Sequence, residues 1–153
     1  MQEWINAHPR AMFVIAPVYA VALCMLVSVV ISYIGGWSSL AKRFATKQPF
    51  SGERWTGQSG QMRWIAGYHN CLTLGANEKG LFLATMILFR VKHPPLLIPW
   101  NEISITPKRL WILGDFVRLT LGRQESVPLL IRRKLADKLS GAAGGRWPVT
   151  TIG

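Results

Sequence analysis

Residues 12–34 read MFVIAPVYAVALCMLVSVVISYI, a run of 23 residues without Asp, Glu, Lys, Arg or His. An α-helix rises about 1.5 Å per residue, so as a helix this segment is about 35 Å long and crosses a hydrocarbon core about 30 Å thick. Lipid offers the backbone no hydrogen-bond partners, so a single spanning segment has to be helical. The stretch therefore predicts a transmembrane helix, around which the rest of the chain is arranged.

A cleaved signal peptide is the alternative interpretation of this region. The apolar part of such a peptide is about 7–15 residues long, follows a basic segment and precedes small residues at a cleavage site. Here the apolar run is longer, residues 1–11 contain one acidic residue (Glu3) and one Lys or Arg (Arg10), and residues 32–35 form a poor cleavage site. These features favour an uncleaved anchor.

Basic charge lies almost entirely after this segment. Of the 18 Lys and Arg residues 17 follow residue 34, as do 6 of the 7 Asp and Glu residues. Because Lys and Arg are enriched on cytoplasmic flanks, Lys42, Arg43 and Lys47 predict a cytoplasmic domain and an N-terminus on the outside. Trp4 and Trp37 flank the span, where aromatic side chains favour the headgroup level. These five residues form the predicted membrane interface.

Composition divides the chain into five parts. A short arm (1–11) and the helix (12–34) precede a juxtamembrane segment and linker (35–57), which is rich in turn-forming residues. A soluble domain is expected over 58–140 and a flexible tail over 141–153. The chain after the span is long enough for one domain with its own core and too short for two.

A short helix is expected inside the juxtamembrane segment, with Ser38 or Ser39 as its N-cap. Leu40 and Phe44 are four residues apart and therefore share one face of that helix. This face either lies along the membrane interface or covers the soluble domain, and the pattern does not separate the two alternatives.

The soluble part is strand-like up to about residue 127. A hairpin is predicted from residues 110–113 and 116–121, with Gly114-Asp115 as a type II′ turn and residues 107–109 turning the chain before it. Val117, Leu119 and Leu121 share one face of the second strand, as in an antiparallel sheet with one buried side. The three prolines within residues 94–99 predict an edge strand or a shaped loop.

The last predicted element is an amphipathic helix. Ser126 is its predicted N-cap and Gly141 its end, while Ile131, Leu135 and Leu139 recur every four residues on one face.

Residues 81–89, LFLATMILF, are the most apolar part of the soluble region. As a core strand this run is apolar on both faces, so the C-terminal helix, a partner protein or the membrane is expected to cover the second face. We predict that partner or lipid contacts are made here and by the neighbouring proline-rich and basic residues, namely Leu81, Phe82, Met86, Leu88, Phe89, Arg90, Lys92, His93, Pro94, Pro95, Trp100, Lys108 and Arg109.

The motif GLFL at residues 80–83, followed by LIPWNEI at residues 97–103, resembles the strand pattern of GRAM-type and bacterial pleckstrin-homology-like (PH-like) domains. The resemblance covers about residues 58–140, and seven strands followed by a helix is the element order of that superfold. For the chain after the predicted transmembrane α-helix it implies a small α+β domain, mainly antiparallel β, shaped as a PH-like barrel or sandwich. It also implies a binding module for lipid headgroups or protein segments without catalysis, in a bacterial inner membrane.

No catalytic, cofactor-binding or metal-binding constellation stands out, and we predict no cofactor. His69 and Cys71 lie on one side of an extended backbone, which makes a Cys–His nucleophile pair the enzyme alternative. The histidines are scattered without metal-ligand spacing. Nucleic-acid binding would explain the excess of Lys and Arg over Asp and Glu. However, the tryptophans do not alternate with Lys or Arg in a recognised nucleic-acid-binding signature.

Two non-enzymatic hypotheses remain. In the first, the protein is an accessory or scaffold subunit of a larger membrane complex. The small residues Ala16, Ala20, Ala22 and Ser28 would then allow close helix contact with other membrane subunits. In the second, the domain binds or senses anionic lipid. The basic residues assigned to headgroups in that case are Lys42, Arg43, Lys47, Arg90, Lys92, Lys108 and Arg109.

Overall fold

A computed structural model describes residues 2–63, 66–86, 90, 93–110, 112 and 114–149. Three helices precede a sheet of seven strands, and a fourth helix follows it. The helices are α1 (Gln2–Ala7), α2 (Pro9–Gly35), α3 (Trp37–Phe44) and α4 (Arg133–Ala142). The strands are β1 (Glu53–Met62), β2 (Ala66–Ala76), β3 (Gly80–Thr85), β4 (Leu96–Pro99), β5 (Ile103–Leu110), β6 (Gly114–Leu121) and β7 (Val127–Arg132), with a 3₁₀ turn (Trp100–Glu102) between β4 and β5.

Helix α2 contains the predicted span and extends it at both ends. It has 27 residues, and its most apolar window has a mean hydropathy of 2.7 with 6% of that window buried. At about 1.5 Å per residue it is about 40 Å long. Among the described residues it is the one helix that is long and apolar enough to cross a membrane.

The sheet is antiparallel throughout, with strand order β4-β3-β2-β1-β7-β6-β5. Strands β4 and β5 lie at opposite edges of this order, yet only the 3₁₀ turn Trp100–Glu102 joins them. A 3₁₀ turn rises about 2 Å per residue, so the two edges approach within about 10 Å at this point. The sheet therefore curls into a half-barrel, and α4 packs against β2, β6 and β7. This confirms the predicted fold class.

Alternating side chains fill the inside of the half-barrel. Val117, Leu119 and Leu121 of β6 are buried, as predicted. In β7 the residues Val127, Leu129 and Ile131 are each fully buried. A period of two places such residues on one face of a strand, and this face is the core.

The C-terminal helix is shorter than predicted, because residues 127–132 form β7 and pair with β6. Ser126 is in the turn before β7 with a positive φ of 48°, and is not an N-cap. Helix α4 begins at Arg133 and buries Leu135 and Leu139. The i, i+4 spacing of Ile131 with Leu135 was misleading because Ile131 also continues the period-two pattern of the strand.

The predicted turn at Gly114-Asp115 is wrong. Leu110 pairs with Gly114 and Arg109 with Asp115, so both residues already belong to β6. Residues 107–109 do not turn the chain but continue β5. Pro107 is tolerated there because β5 is an edge strand, where a missing N–H need not break a ladder. The prediction for the proline-rich segment is confirmed, since β4 is the other edge strand.

The predicted linker also needs correction. β1 starts at Glu53, and α3 buries Trp37, Leu40 and Phe44 in the core of the domain. This decides the open question about Leu40 and Phe44 in favour of the domain. β1 escaped recognition because its register shifts twice between Trp55 and Gly60, and such bulges break the period-two pattern.

Strand β3 is buried on both faces, as expected for its apolar composition. Leu81 and Leu83 point into the core, and neither exposes any surface. On the other face, the ring of Phe82 stacks on Phe50 with centroids 4.7 Å apart. The chain after α3 therefore provides part of the cover that was expected from the C-terminal helix, a partner or the membrane.

Candidate functional site

Helix α2 meets the domain along one face of its C-terminal end. Ser28, Ser32 and Gly35 are buried, and their spacing of four and three residues places them on one side of the helix. Tyr33 and Ile34, on other sides of the same turns, remain 60% and 44% exposed. The helix is thus docked onto the domain and not merely tethered to it.

A polar group lies at the centre of this contact. His93 is 1% exposed, with its Nδ1 atom 3.2 Å from Ser28 Oγ and its Nε2 atom 2.9 Å from Tyr68 Oη. In its neutral form an imidazole has one donor and one acceptor nitrogen, and in that form one hydroxyl donates to the ring while the other accepts from it. Burial raises the pKa of Tyr68, which keeps its hydroxyl protonated. His93 thus links α2 to strand β2.

Trp37 completes what we call the junction cluster (Ser28, Trp37, Tyr68 and His93). Its indole Nε1 donates to the carbonyl of Pro94 at 3.0 Å, and its ring lies 4.9 Å from His93 and 5.9 Å from Tyr68. Trp37 exposes no surface. Its side chain therefore does not face lipid, because α3 begins directly after α2 and turns it into the core.

Gly36 makes the turn between α2 and α3. Its φ of +87° is left-handed, a conformation that glycine adopts readily and other residues avoid. A Cβ atom at this position would lie 2.8 Å from Arg63 Nε and 2.9 Å from Val127 Cγ2. The backbone of the turn is thus packed against the sheet, which sets the angle at which the helix meets the domain.

Arg43 joins α3 to two loops of the half-barrel. Its guanidinium donates to Glu125 Oε2 at 3.0 Å and to Glu102 Oε1 at 3.2 Å. The two carboxylates are largely covered, with side-chain exposures of 10% and 18%. Arg43 was predicted to face lipid headgroups, but its charge is matched within the chain. Lys42 and Lys47 remain exposed.

Glu102 predicts a pH dependence of stability. Its carboxylate accepts the Arg123 N–H at 2.9 Å, and this hydrogen bond, together with Arg43, lowers its pKa below the usual 4.5. The folded state then binds this proton less readily than the unfolded state. The resulting stabilisation is present above about pH 4.5 and is lost as the pH falls through the folded-state pKa. We expect Glu102→Gln to lower the Tm at pH 7 and to flatten the fall in Tm between pH 5 and pH 3, measured by thermal unfolding in detergent; an unchanged acid profile would contradict this.

The predicted partner or lipid contacts divide into three groups. Leu81, Phe82, His93 and Trp100 are buried, so the assignment of their side chains to external contact is corrected. Pro94, Pro95 and Lys108 are half-buried, while Met86, Arg90 and Arg109 are exposed. Leu88, Phe89, Lys92 and the side chain of Trp4 lie outside the described part of the chain.

Trp100 shows why distinctive residues of the proline-rich segment are internal. Its Nε1 donates to the carbonyl of Asn77 at 2.8 Å, and its ring lies 5.4 Å from Trp147. Trp100 is the first residue of the 3₁₀ turn and closes the half-barrel there. Its role is structural for this fold, and Trp147 pins the segment after α4 to the same place.

Sequence reasoning missed the junction cluster as a unit. Ser28 had been noted only as a small residue, and Tyr68 had not been noted at all. The available signal was the pair Ser28 and Ser32, two hydroxyls four residues apart in an otherwise apolar segment. Polar side chains inside a span usually face protein and not lipid.

The enzyme alternative named in the sequence analysis was a pair of His69 and Cys71. No group of three His, Cys, Asp or Glu residues among them is arranged to hold a metal ion. Burial raises the pKa of the Cys71 thiol, which disfavours the thiolate needed by a nucleophile. His69 is exposed beside it.

The hydroxyl of Tyr68 gives a direct test of the junction cluster. Tyr68→Phe removes the contact with His93 Nε2 in a buried site, so we expect a loss of about 1–2 kcal/mol in the free energy of unfolding. Denaturant unfolding of the full chain in detergent measures it. Tyr33→Phe removes a hydroxyl from a tyrosine of α2 that is 60% exposed, and is the matched control. Equal stability of both variants would contradict the role of Tyr68.

The order and curl of the sheet are loosely those of a PH-like domain. Neither the known protein-family models nor the curated proteins contain a match to this chain. A fold of this kind serves many functions, so the function has to be argued from the site.

Proposed function

We propose that this protein is a non-catalytic, single-pass membrane protein that acts as an accessory or scaffold subunit of a larger membrane complex. One observation carries the proposal. Helix α2 is docked onto the domain through Ser28, Ser32 and Gly35, with Ile31 packed against the core beside them, while most of its other apolar side chains are exposed. A helix held in this way has a fixed angle to the domain. Partners can therefore contact its outer surface and the domain at the same time.

Retention of α2 in the mature protein is supported by the junction. Removal of the helix would take Ser28 from His93 and uncover the fully buried Trp37. Exposing such groups costs hydrogen bonding and apolar burial. We therefore treat α2 as an anchor and not as a cleaved signal.

The length of the exposed part fits a bilayer. Residues 9–27 precede the first buried position, Ser28, and span about 28 Å as a helix, close to a hydrocarbon core of about 30 Å. The domain then lies directly at the membrane surface. Lys42 and Lys47 are exposed there, and the positive-inside bias supports a cytoplasmic domain. The bacterial inner membrane is part of the proposal through the resemblance to bacterial PH-like domains. Within this proposal the domain is of the GRAM-type or bacterial PH-like kind.

Two exposed regions are offered as partner contacts. The first is the outer surface of α2, where Phe13 and Tyr19 are 84% and 68% exposed. The second is the β5–β6 hairpin tip, where Ile112 is 90% exposed.

Mild detergent extraction of the tagged full chain tests the proposal. We expect partner proteins to co-purify at a fixed stoichiometry. Ile112→Ser is expected to reduce their retention, whereas Val149→Ser, at a residue also 90% exposed but outside the hairpin, is expected to retain them. Purification of a clean monomer under several mild detergents would refute the subunit role.

Orientation is tested separately with introduced cysteines. Lys47→Cys is exposed on the domain side and is expected to resist a membrane-impermeant maleimide in intact cells until they are permeabilised. Gln2→Cys, at an exposed position of α1 before the other end of α2, is expected to react at once. The reverse pattern would place the domain outside.

A further inference from the structure

An open groove lies on the outer face of the sheet, away from the core. It consists of two adjoining pockets: one of about 490 Å³, lined by Lys47 and Arg54, and one of about 70 Å³, lined by Lys79. The larger lies within the range of about 300–1,000 Å³ for ligand sites. It runs between the chain that follows α3 and strands β3 and β4. We call it the outer groove and define it by Lys47, Phe50, Arg54, Lys79, Phe82 and Pro95.

The floor of the outer groove is built by strand register. Arg54, Gly75, Phe82 and Leu97 pair in a row across β1, β2, β3 and β4. Gly75 leaves a notch in this row: a Cβ atom there would lie 2.7 Å from Phe50 Cε1 and 3.0 Å from Arg54 Cγ. Phe50 therefore lies over the glycine and stacks on Phe82. The result is an apolar floor with a cation directly beside it.

Three cations surround this floor. Lys47 follows α3, Arg54 comes from β1, and Lys79 lies in the β2–β3 turn. The turn is held by the Asn77 side chain, whose Oδ1 accepts the Lys79 N–H at 2.9 Å. All three side chains are exposed, and within the described part of the chain none of them pairs with a carboxylate. None of the described residues that line the groove is acidic.

One end of the outer groove lies next to the C-terminal end of α2. Pro94 and Pro95 line it, and Pro94 accepts the hydrogen bond from Trp37, the second residue after the helix. The Thr46 N–H donates to the Pro95 carbonyl at 2.9 Å, which ties the next segment to the same end. If α2 crosses a bilayer, this end of the groove opens at the headgroup layer.

We infer that the outer groove binds the headgroup of an anionic phospholipid from the bilayer that α2 crosses. Lys47, Arg54 and Lys79 contact the phosphate. Phe50, which is stacked on the buried Phe82, and Pro95 contact the glycerol and the first methylenes of the acyl chains. Phosphate oxygens accept well from Lys and Arg, and an apolar floor suits the lipid beyond the phosphate. The inference rests on the membrane anchoring proposed above but does not need a protein partner.

Native mass spectrometry of the detergent-purified full chain tests this. The protein is mixed with equal amounts of phosphatidylglycerol and phosphatidylcholine. We expect one retained phosphatidylglycerol, preferred about tenfold or more. The triple variant Lys47→Gln, Arg54→Gln, Lys79→Gln is expected to lose this preference, since each cation near an anionic surface contributes attraction. All three side chains are exposed, so the fold is expected to persist, with an unchanged Tm as the check.

The matched control removes the same charge elsewhere. Arg133→Gln, Lys134→Gln, Lys138→Gln changes three exposed residues of α4 and is expected to keep the preference. If both triple variants lose the preference for phosphatidylglycerol equally, the lipid is attracted by the overall positive charge and not by this site. If both keep the preference equally, the three cations of the groove do not bind the lipid. Either result would overturn the proposal. Displacement of the lipid by the same concentration of glycerol phosphate would overturn the lipid assignment in favour of a free phosphate. A protein found in the membrane fraction that shows no lipid preference refutes the groove and leaves the anchor standing.

Discussion

Trp37→Ala is expected to lower the free energy of unfolding by about 3–5 kcal/mol, the range for truncating a buried aromatic side chain. Trp37 exposes no surface, packs edge-on against His93 with a centroid distance of 4.9 Å, and donates to the Pro94 carbonyl. The substitution removes that hydrogen bond and opens a cavity where α2, α3 and the sheet meet. Denaturant unfolding of the full chain in detergent, followed by circular dichroism, measures the loss.

Two further variants separate the causes. Trp37→Phe keeps much of the ring but loses the indole N–H, so we expect a smaller loss than for alanine. Tyr19→Ala truncates an aromatic residue of α2 that is 68% exposed, and the stability of the domain is expected to stay unchanged. Should Trp37→Ala leave unfolding unchanged and alter only membrane association, Trp37 would be an interface residue and its place in the core would be refuted.

Gly36→Val is expected to cost about 2–5 kcal/mol. The left-handed φ of +87° adds about 1–2 kcal/mol for a residue with a Cβ atom. The contacts at 2.8 Å with Arg63 and 2.9 Å with Val127 add overpacking of about 1–3 kcal/mol. Besides lower stability, we expect Ser28 to move away from His93, because relief of the clash has to shift α2 or α3.

Gly114→Val isolates the conformational part of this cost. Gly114 has a similar φ of +93°, but a Cβ atom there would meet nothing within 4 Å. It therefore carries the backbone strain without the clash. A cost for Gly36→Val no larger than that for Gly114→Val would show that close packing at the turn is unimportant. Chemical crosslinking between cysteines placed at Ser28 and His93 reports the movement directly.

These two substitutions bear on the proposed function because they act where the helix and domain are joined. A subunit that holds partners through both α2 and the domain needs a fixed angle between them. Gly36→Val is expected to reduce partner retention even in the fraction that remains folded. Ile112→Ser is expected to reduce it without any effect on the angle.

Much of the architecture was readable from periodicity. The apolar run of residues 12–34 predicted α2, because length and the absence of charge are local properties. The alternation of Val117, Leu119 and Leu121 predicted the buried face of β6, and the prolines of residues 94–99 predicted an edge strand. Errors arose where two patterns overlapped, as at Ile131, or where bulges broke a pattern, as in β1.

The candidate site was much less predictable. His93 and Trp100 were singled out for their unusual neighbourhood, yet both are internal. Arg43 was grouped with Lys42 and Lys47 by its place in the chain, while its partners Glu102 and Glu125 are 59 and 82 residues away. Such pairings depend on which loops the fold brings together. The residues next to Arg43 in the sequence do not indicate which loops these are.

By itself, the sequence determined that this protein has one long apolar helix, a basic domain rich in β-strand and an amphipathic helix near its end. Only the tertiary structure decided that the helix is docked through Ser28, Ser32 and Gly35, that Trp37 belongs to the core, and that Phe50 lies over Gly75 beside Phe82. The physical reason is that hydropathy and period are set by neighbours along the chain. Burial and hydrogen bonding are set by residues that become neighbours only when the half-barrel curls and closes on α2.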